Sequence, residues 1–345
     1  MIDALDFKRA IRTMIDHKDY PISYTEVLRA RKVVYNHLTP TCLTRYENLS
    51  SLIGAEIFVK HENHNPTGSF KIRGGVNLMY HLRNTGINGV ITFSTGNHGL
   101  SIAQSAAWLG IRATVVVPEN NNPVKNRSIR STNAILIEAG KNFEEASAVV
   151  DELSERENLY YAHPANEPHL INGVGTEFIE IIEALPALDA VVLPIGAGSE
   201  VAAATIVLKT INPEIQIFAV QAECSSAAFQ SWKSGKILSS ENTTFAGGFA
   251  TGIAYKTPFE IYKNNLTDFV VLSEAEIYEG ISLAGYYTHN FVEGAGASTI
   301  MAAIKLKEQL KGKKVVLQFS GCNASPDEIN AAYSLQSFTE GWMKK

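Results

Sequence analysis

The residue best suited to covalent chemistry is Lys71, which lies in the segment NHNPTGSFKIRGG at positions 63–75. Its preceding neighbours, Pro66 to Phe70, are small, turn-forming, hydroxyl-bearing or aromatic, and none of them is charged. Desolvation in such surroundings lowers the pKa of a lysine ammonium group and frees the amine as a nucleophile. Such an amine can form a Schiff base with an aldehyde. Taken alone, a lysine in such a segment is more often a solvated side chain than a nucleophile.

A second segment, GAGSE at 196–200, follows an apolar run and precedes a helical pattern. Glycines at 196 and 198 allow the backbone to approach a ligand closely. The helix from about Glu200 offers free N–H groups and the positive end of its dipole, which favours a bound phosphate. The alternative is a tight turn without a ligand, and the loop alone supports both equally. A dinucleotide-binding loop would need glycine at Val201, so the loop does not match that of a dehydrogenase.

A third segment, STGNHG at 94–99, follows another apolar run. Its Ser94, Thr95, Asn97 and His98 could hold a carboxylate together with the amides of the following helix. The alternative is an ordinary helix N-terminus in which His98 is a hydrogen-bonded core histidine. An amine, a phosphate loop and a carboxylate loop are together the parts that an aldehyde cofactor and an amino-acid substrate require.

The elements that must position these loops follow from the hydrophobic pattern. Short runs rich in β-branched residues predict buried strands at 56–60, 89–94, 113–118, 134–139, 190–195, 216–222, 269–273 and 314–320. Helical patterns between them predict helices that include 100–110, 143–157 and 200–211. The alternation predicts an α/β fold with mostly parallel strands, and the number of strands indicates two sheets. Ligands collect at the carboxyl ends of such strands, where the loops 94–99, 196–200 and 320–325 are predicted to lie.

The composition excludes several classes of protein. The 345 residues carry a net charge of −5, and no basic stretch could follow a nucleic-acid backbone. No apolar run approaches the roughly 18 residues that a membrane helix needs, and residues 1–20 have the mixed charges of an amphipathic helix rather than a signal peptide. Cys42, Cys224 and Cys322 lack metal or redox spacing, which predicts a reducing, cytoplasmic setting. The two histidines of HENH (61–64) are interpreted as incidental rather than as a metal site.

Five motifs, in order along the chain, carry a family resemblance: NPTGSFKIRG, STGNHG, PIGAGSE, EGAGA at 293–297 and SGCN at 320–323. They resemble the motifs of the pyridoxal-phosphate-dependent threonine/serine dehydratase and serine racemase family, a fold type II group that includes the tryptophan synthase β subunit. The resemblance covers roughly residues 35–325. It implies two open, twisted, mostly parallel sheets flanked by helices, with the cofactor in the cleft between two lobes.

The resemblance also implies a division into domains. A large pyridoxal-phosphate-binding domain is expected from residues 1–82 and 168–345, and a small substrate-side domain from residues 86–165. About twenty residues follow SGCN, so the C-terminal regulatory domain of biosynthetic threonine dehydratases is not expected.

Roles for individual residues follow from the same resemblance. Lys71 is expected to form the Schiff base with pyridoxal phosphate and to act as the base at the substrate Cα, while Phe70 packs against the cofactor ring. Asn97 is expected to hydrogen-bond the cofactor's 3-hydroxyl group. The remaining assignments are Ser94, Thr95, Asn97 and His98 for the substrate carboxylate, Gly196, Ala197, Gly198, Ser199 and Glu200 for the phosphate, and Ser320 and Glu293 for the pyridine nitrogen and its surroundings.

Ser320 bears on the type of reaction. A serine hydroxyl can donate to an unprotonated pyridine nitrogen, whereas an aspartate would keep that nitrogen protonated and the ring strongly electron-withdrawing. The weaker electron sink favours prompt loss of a β-hydroxyl group over transamination. The resemblance therefore implies β-elimination from a β-hydroxy amino acid such as L-threonine or L-serine, which yields a 2-oxo acid and ammonia. The alternatives are an amino-acid racemase and a dehydratase of a less common substrate such as 3-hydroxyaspartate.

The implied partners are a small amino-acid substrate and further copies of the chain in a homodimer or homotetramer, without nucleic acid or membrane. The chain departs from the racemase pattern at Thr95, which replaces a serine that acts as an acid on the opposite face of Cα, and this weakens the racemase alternative. Glu223 and Ala227 match a divalent-cation site of racemase-like members, but Phe229 replaces an acidic ligand. Losing a carboxylate should weaken such a site greatly, so no bound metal is expected.

Overall fold

A computed structural model describes residues 19–94, 96–119, 121–140 and 143–342 of the chain. Residues 1–18 of the predicted N-terminal helix lie outside these ranges, as does the predicted substrate residue Thr95. Within the same ranges, none of the helices has both the length and the apolar character needed to cross a membrane.

The strands form two sheets. In chain order they are β1 (Leu43–Arg45), β2 (Glu56–Lys60), β3 (Val90–Phe93), β4 (Ala113–Val117), β5 (Ile135–Glu138), β6 (Tyr160–Tyr161), β7 (Ala190–Pro194), β8 (Gln216–Ala222), β9 (Asp268–Leu272) and β10 (Lys314–Gln318). One sheet has six strands in the order β1-β2-β10-β7-β8-β9, and the other has four in the order β5-β4-β3-β6. β1 runs antiparallel to β2, and the other pairings between these strands are parallel. The predicted α/β fold with two mostly parallel sheets is confirmed.

Helices connect the strands and cover the sheets. In chain order they are α1 (Tyr24–Val34), α2 (Glu47–Ile53), α3 (Lys71–Leu82), α4 (Asn97–Leu109), α5 (Pro123–Arg130), α6 (Phe143–Glu157), α7 (Pro168–Val174), α8 (Thr176–Ala184), α9 (Ser199–Ile211), α10 (Ala227–Ser234), α11 (Lys256–Tyr262), α12 (Glu274–Thr288), α13 (Gly294–Lys305), α14 (Lys307–Leu310) and α15 (Pro326–Tyr333). Short 3₁₀ turns lie at Glu62–His64 and Glu223–Ser225, and a π-helical turn lies at Ser337–Trp342.

The core strands are continuously apolar because helices cover both faces of a parallel sheet. All five residues of β7 are buried, as are all five of β4. β10 lies between β2 and β7, and its Leu317 is opposite Val59 on one side and Val192 on the other. Each predicted strand is present, and its ends differ from the prediction by at most two residues.

The chain divides into two compact units. The four-stranded unit contains the described part of Met1–His37 together with Lys71–Thr176, and the six-stranded unit contains Leu38–Phe70 together with the described residues from Glu177 onward. Relative to the expected domains, residues 19–37, 71–82 and 168–176 therefore group with the smaller sheet.

Close packing of α3 explains this grouping. A Cβ atom added to Gly74 would lie 2.8 Å from the carbonyl oxygen of Leu170 in α7, and one added to Gly75 would lie 2.4 Å from Ser101 Oγ in α4. The glycines thus let the backbone of α3 approach both helices. The functional assignment of the two domains stays a prediction.

Candidate active site

The three predicted ligand loops lie at the carboxyl ends of strands. Residues 94–96 lead from β3 into α4, residues 195–198 lead from β7 into α9, and residues 319–325 lead from β10 into α15. Because β7 and β10 are adjacent and parallel, their loops leave the same edge of the six-stranded sheet. The loop after β3 occupies the equivalent edge of the four-stranded sheet.

Two of these loops lead into helices whose N-cap residue is glycine. Gly96 is the N-cap of α4 and Gly198 is the N-cap of α9, so neither helix receives a hydrogen bond from an N-cap side chain. Other helices of the chain are capped by a side chain at Ser23, Asn122, Ser273 and Ser325. A glycine N-cap leaves the first-turn N–H groups and the positive dipole end accessible to an anion.

The glycines of the GAGSE loop are also required by packing within the six-stranded unit. A Cβ on Gly196 would lie 2.0 Å from the carbonyl oxygen of Gly248, and one on Gly198 would lie 2.9 Å from Pro258 Cβ. Gly198 also has a φ of +88°, in the left-handed region that favours glycine. Close approach of a ligand is therefore not the only reason for these glycines. Ser199 and Glu200, the first two residues of α9, are buried.

Other predicted cofactor residues gather beside this loop. A Cβ on Gly248 would lie 3.8 Å from Glu293 Oε1, and one on Gly321 would lie 2.6 Å from the same oxygen. Glu293 is the buried N-cap of α13, and its N–H donates to the carbonyl oxygen of Gly321 at 3.0 Å. Glu293 therefore lies beside the loop after β10, and Gly248 lies next to both Glu293 and the GAGSE loop.

The residues before Lys71 pair with the loop after β10. The N–H of Phe70 donates to the carbonyl oxygen of Ser320 at 3.0 Å, and the N–H of Cys322 donates to the carbonyl oxygen of Gly68 at 2.9 Å. Ser69 and Gly321 form an antiparallel bridge between these bonds. Phe70 and Ser320 are both buried. The backbone that leads into Lys71 is therefore fixed by the residue predicted to contact the pyridine nitrogen.

Lys71 is the half-buried first residue of α3 in the four-stranded unit. Its carbonyl oxygen accepts a hydrogen bond from Ser101 Oγ at 2.6 Å. Ser101 stands four residues after Asn97 in α4, on the same face of the helix. Sequence reasoning did not single out Ser101, although this spacing from the predicted carboxylate loop could have identified it.

The STGNHG loop is shaped by its own side chains. Ser94 Oγ accepts a hydrogen bond from the N–H of Gly96 at 3.2 Å, and Asn97 follows as the half-buried first residue of α4. A Cβ on Gly99 would lie 2.9 Å from Val115 Cγ1, so glycine is required for α4 to lie against β4. The structure places Ser94, Asn97 and His98 together at the start of α4, while Thr95 lies outside the described residues.

His98 is a buried, hydrogen-bonded histidine. Its Nε2 lies 3.0 Å from the carbonyl oxygen of Ala162 and 3.0 Å from Thr92 Oγ1. Because a carbonyl oxygen only accepts, the proton of the neutral ring is on Nε2, and any bond from His98 to a ligand must use Nδ1. Burial lowers the pKa of His98 to about 3, and the positive charges of Lys71 and His163 act in the same direction.

The pKa of His98 predicts a pH-dependent stability. The unfolded chain binds a proton at this histidine below pH 6.5 and the folded chain only below about pH 3, so folding is opposed as the pH falls through that window. Between pH 7 and pH 5, His98 is expected to reduce the free energy of unfolding by on the order of 2 kcal/mol. Urea unfolding of wild type and His98→Asn at both pH values measures this. Equal losses in the two proteins would contradict the assignment.

The two segments at which no bound metal is expected, 223–229 and HENH at 61–64, make contacts within the protein. The N–H of Phe229 donates to Gln221 Oε1 at 3.1 Å, and Glu223 is exposed. The rings of His61 and His64 stack at 4.7 Å between centroids, and burial lowers the pKa of His61 to about 4. Across the described part of the chain, no three histidine, cysteine, aspartate or glutamate side chains are grouped so that they could hold a metal ion.

Comparison with known proteins places this geometry in a family. The family model described as "Pyridoxal-phosphate dependent enzyme" matches residues 34–321. The chain is 34% identical over 314 residues to an L-threonine ammonia-lyase of Thermotoga maritima, which covers 90% of this chain and 77% of the relative. It is 28% identical to a beta-hydroxyaspartate dehydratase of Paracoccus denitrificans, over 90% and 99% of the two chains. The crystal structure of serine racemase from Dictyostelium discoideum superposes with a TM-score of 0.83 at 28% identity, covering 88% of this chain and 99% of that one.

Proposed function

The chain belongs to the family of pyridoxal-phosphate-dependent enzymes, and we propose that it deaminates a β-hydroxy amino acid such as L-threonine or L-serine by β-elimination. Elimination releases water and leaves an enamine, and hydrolysis takes the water up again, so the net products are a 2-oxo acid and ammonia. The observation that carries the proposal is the pairing of Gly68–Phe70, the residues just before Lys71, with Ser320–Cys322, next to Glu293 and the glycine loop at 196–200. The ammonia-lyase from Thermotoga maritima supports the same reaction class.

The residues of the chain fit pyridoxal 5'-phosphate. The uncapped start of α9 after Gly198 suits a phosphate dianion, and a serine at 320 suits an unprotonated pyridine nitrogen. In this proposal residues 196–200 hold the phosphate, Phe70 packs against the ring, and Ser320 and Glu293 contact the nitrogen and its surroundings. When bound, the cofactor supplies an aldehyde for Lys71 and an electron-withdrawing ring next to the substrate Cα.

The substrate is oriented by the start of α4. We assign its carboxylate to the first-turn amides of α4 together with Ser94, Thr95, Asn97 and His98, with Asn97 also hydrogen-bonding the cofactor's 3-hydroxyl group. Lys71, with its carbonyl oxygen fixed by Ser101, removes the proton from Cα as a general base. Fixing the carboxylate and the amine together restricts the Cα–H bond to one orientation, which favours proton removal.

The assembly and location of the protein belong to the same proposal. The family resemblance supports a homodimer or homotetramer that takes a small amino-acid substrate and binds neither nucleic acid nor membrane. Cys42, Cys224 and Cys322 are free thiols, which suits the reducing cytoplasm. Light scattering of the purified protein would give the number of copies.

The direct test is the release of 2-oxo acid by purified protein supplied with pyridoxal phosphate. L-Threonine, L-serine and the stereoisomers of 3-hydroxyaspartate are incubated separately, and 2-oxo acid and ammonia are both measured. We expect equal amounts of the two products from at least one substrate. Release of neither product from any of them would overturn the proposal.

A racemase is the second candidate because the Dictyostelium discoideum serine racemase shares the fold at 28% identity. Racemisation requires an acid on the face of Cα opposite Lys71. In this chain Thr95 stands at the position of that acid. Chiral chromatography of serine recovered from the same incubations distinguishes the two functions. Appearance of D-serine without 2-oxo acid would favour the racemase.

A further inference from the structure

The side chain of Lys125 lies against the carboxylate loop. A Cβ built on Gly96 would be 3.6 Å from Lys125 Cδ and 3.7 Å from its Nζ. Lys125 belongs to α5, and sequence reasoning gave it no role. The ammonium group therefore reaches the N-cap of α4 from a different helix than the residues already assigned to the substrate.

The backbone that carries Lys125 is held in place. Asn122 caps α5, and its Oδ1 accepts hydrogen bonds from the N–H of Val124 at 2.9 Å and from that of Lys125 at 3.4 Å. Pro123 at the first helical position fixes a helical φ. Both features fix the first turn of α5, which carries Lys125.

Lys125 lacks a partner for its charge among the described residues. Its ammonium group makes no ion pair or hydrogen bond with the residues that the structure describes, although the side chain is half-buried. Arginines 112, 130 and 156, by contrast, each pair with a glutamate in the same unit. Partial burial of an unpaired cation costs free energy, and an anion at the loop would offset that cost.

The surroundings of the loop are positive as well. The side-chain charges that shift the pKa of His98 belong to Lys71 and His163, and both act as positive charges do. The accessible amides of α4 add the positive end of a helix dipole. In the proposed function, these amides bind the α-carboxylate of the substrate together with Ser94 and Asn97. Lys125 is therefore a cation beyond what that carboxylate needs.

We propose that Lys125 binds a second carboxylate on the substrate, so that the enzyme prefers a β-hydroxy amino acid with an acidic side chain, of which 3-hydroxyaspartate is the smallest. In place of this carboxylate, serine has a hydrogen atom and threonine a methyl group, and neither can neutralise an ammonium group. The inference rests on the proposed β-elimination. With 3-hydroxyaspartate, loss of water followed by hydrolysis of the enamine gives oxaloacetate and ammonia.

The test compares Lys125→Met with a matched control on the same helix. Arg127→Met removes a positive charge two residues away from an exposed position. We expect kcat/KM for 3-hydroxyaspartate to fall about 10- to 100-fold in Lys125→Met, the size of one hydrogen bond to a charged group. The value for L-serine should change less than about threefold in that variant, as should both values in Arg127→Met. Lys125→Arg should retain most of the activity on 3-hydroxyaspartate.

Binding of succinate provides a measurement that does not depend on turnover. Calorimetric titration of the holoenzyme with succinate, and with propionate as the monocarboxylate, should show that Lys125→Met weakens only succinate binding. An equal loss for serine and 3-hydroxyaspartate would assign Lys125 to the α-carboxylate and overturn the proposal, as would the absence of any loss. Failure of the proposed function is recognised separately, because the wild-type enzyme would then release 2-oxo acid from no substrate, while the succinate titration would still test Lys125.

Discussion

Replacing Lys71 with alanine is expected to abolish both cofactor attachment and turnover. In the proposed function, the variant lacks both the amine for the Schiff base and the base for the Cα proton. General-base catalysis alone is worth about 10²- to 10⁴-fold, so we expect the rate of 2-oxo acid release to fall by at least about 10³-fold. The measurement is the steady-state rate with the best substrate, together with the visible absorbance of the lysine-linked cofactor.

Lys311→Ala is the matched control, because Lys311 is exposed and precedes β10 in the six-stranded unit. Reduction with borohydride followed by peptide mapping should find the cofactor on Lys71 in wild type and in Lys311→Ala. Circular dichroism should be unchanged in Lys71→Ala, since the half-buried side chain begins a helix rather than filling the core. Retained activity, or a cofactor trapped on another lysine in wild type, would contradict the role of Lys71.

Replacing Lys60 with methionine is expected to destabilise the six-stranded unit strongly. Lys60 Nζ and Glu180 Oε2 form an ion pair at 2.5 Å, with side-chain exposures of 1% and 5%. Lys60 also donates to the carbonyl oxygen of Thr41, and the N–H of Thr41 donates to Glu180. Removing the cation takes the Lys60 charge away from a buried carboxylate, and breaking such a pair costs about 3–5 kcal/mol. Urea unfolding measures the loss.

The double variant Lys60→Met/Glu180→Leu separates loss of the pair from loss of packing. Removing both charges takes away the uncompensated carboxylate, and apolar replacements of buried pairs are often neutral or stabilising. We therefore expect the double variant to recover most of the stability that Lys60→Met loses. If the double variant is no more stable than Lys60→Met, the uncompensated charge is not the cause. If Lys60→Met itself is as stable as wild type, the pair contributes nothing measurable.

The strands were predictable wherever burial was continuous. β4 (ATVVV) and β7 (AVVLP) are fully buried and mostly apolar, and such runs are recognisable without structural information. β1 and β6 were missed because they have three and two residues and stand at sheet edges, where half-exposed side chains leave no apolar run. Their pairing is set by neighbouring strands and not by their own composition.

The candidate site was predictable in its chemistry and less so in its contacts. Motif order singled out Lys71, the GAGSE loop and Ser320 as candidates, because each proposed role requires a particular residue type, and these roles stay predictions. Gly248 acts through its carbonyl oxygen, which lies where a Cβ of Gly196 would stand. Every residue type has a carbonyl oxygen, so the sequence does not reveal this contact. Lys125 was missed for a similar reason. The sequence around an isolated lysine on an amphipathic helix does not show whether its side chain faces solvent or a loop.

The bond between His98 and Ala162 shows the same limit. The sequence offered two interpretations of His98, a carboxylate-binding side chain and a core histidine, and its spacing from Asn97 did not choose between them. The carbonyl oxygen that holds Nε2 comes from Ala162, just after β6, which is distant in sequence and close only because β3 and β6 pair. Contacts made through sheet pairing are not encoded in local spacing.

The position of β10 between β2 and β7 has a consequence for synthesis of the chain. β3 to β6 all fall between Val90 and Tyr161, so the four-stranded sheet can be completed while the ribosome is still translating. β2 and β7 are both synthesised well before their shared neighbour, which is made only with Lys314–Gln318. Until then each strand has an edge of backbone N–H and C=O groups without its parallel partner, and such edges pair readily with other nascent chains. A chaperone would therefore benefit this chain most in the interval before its last strand leaves the ribosome.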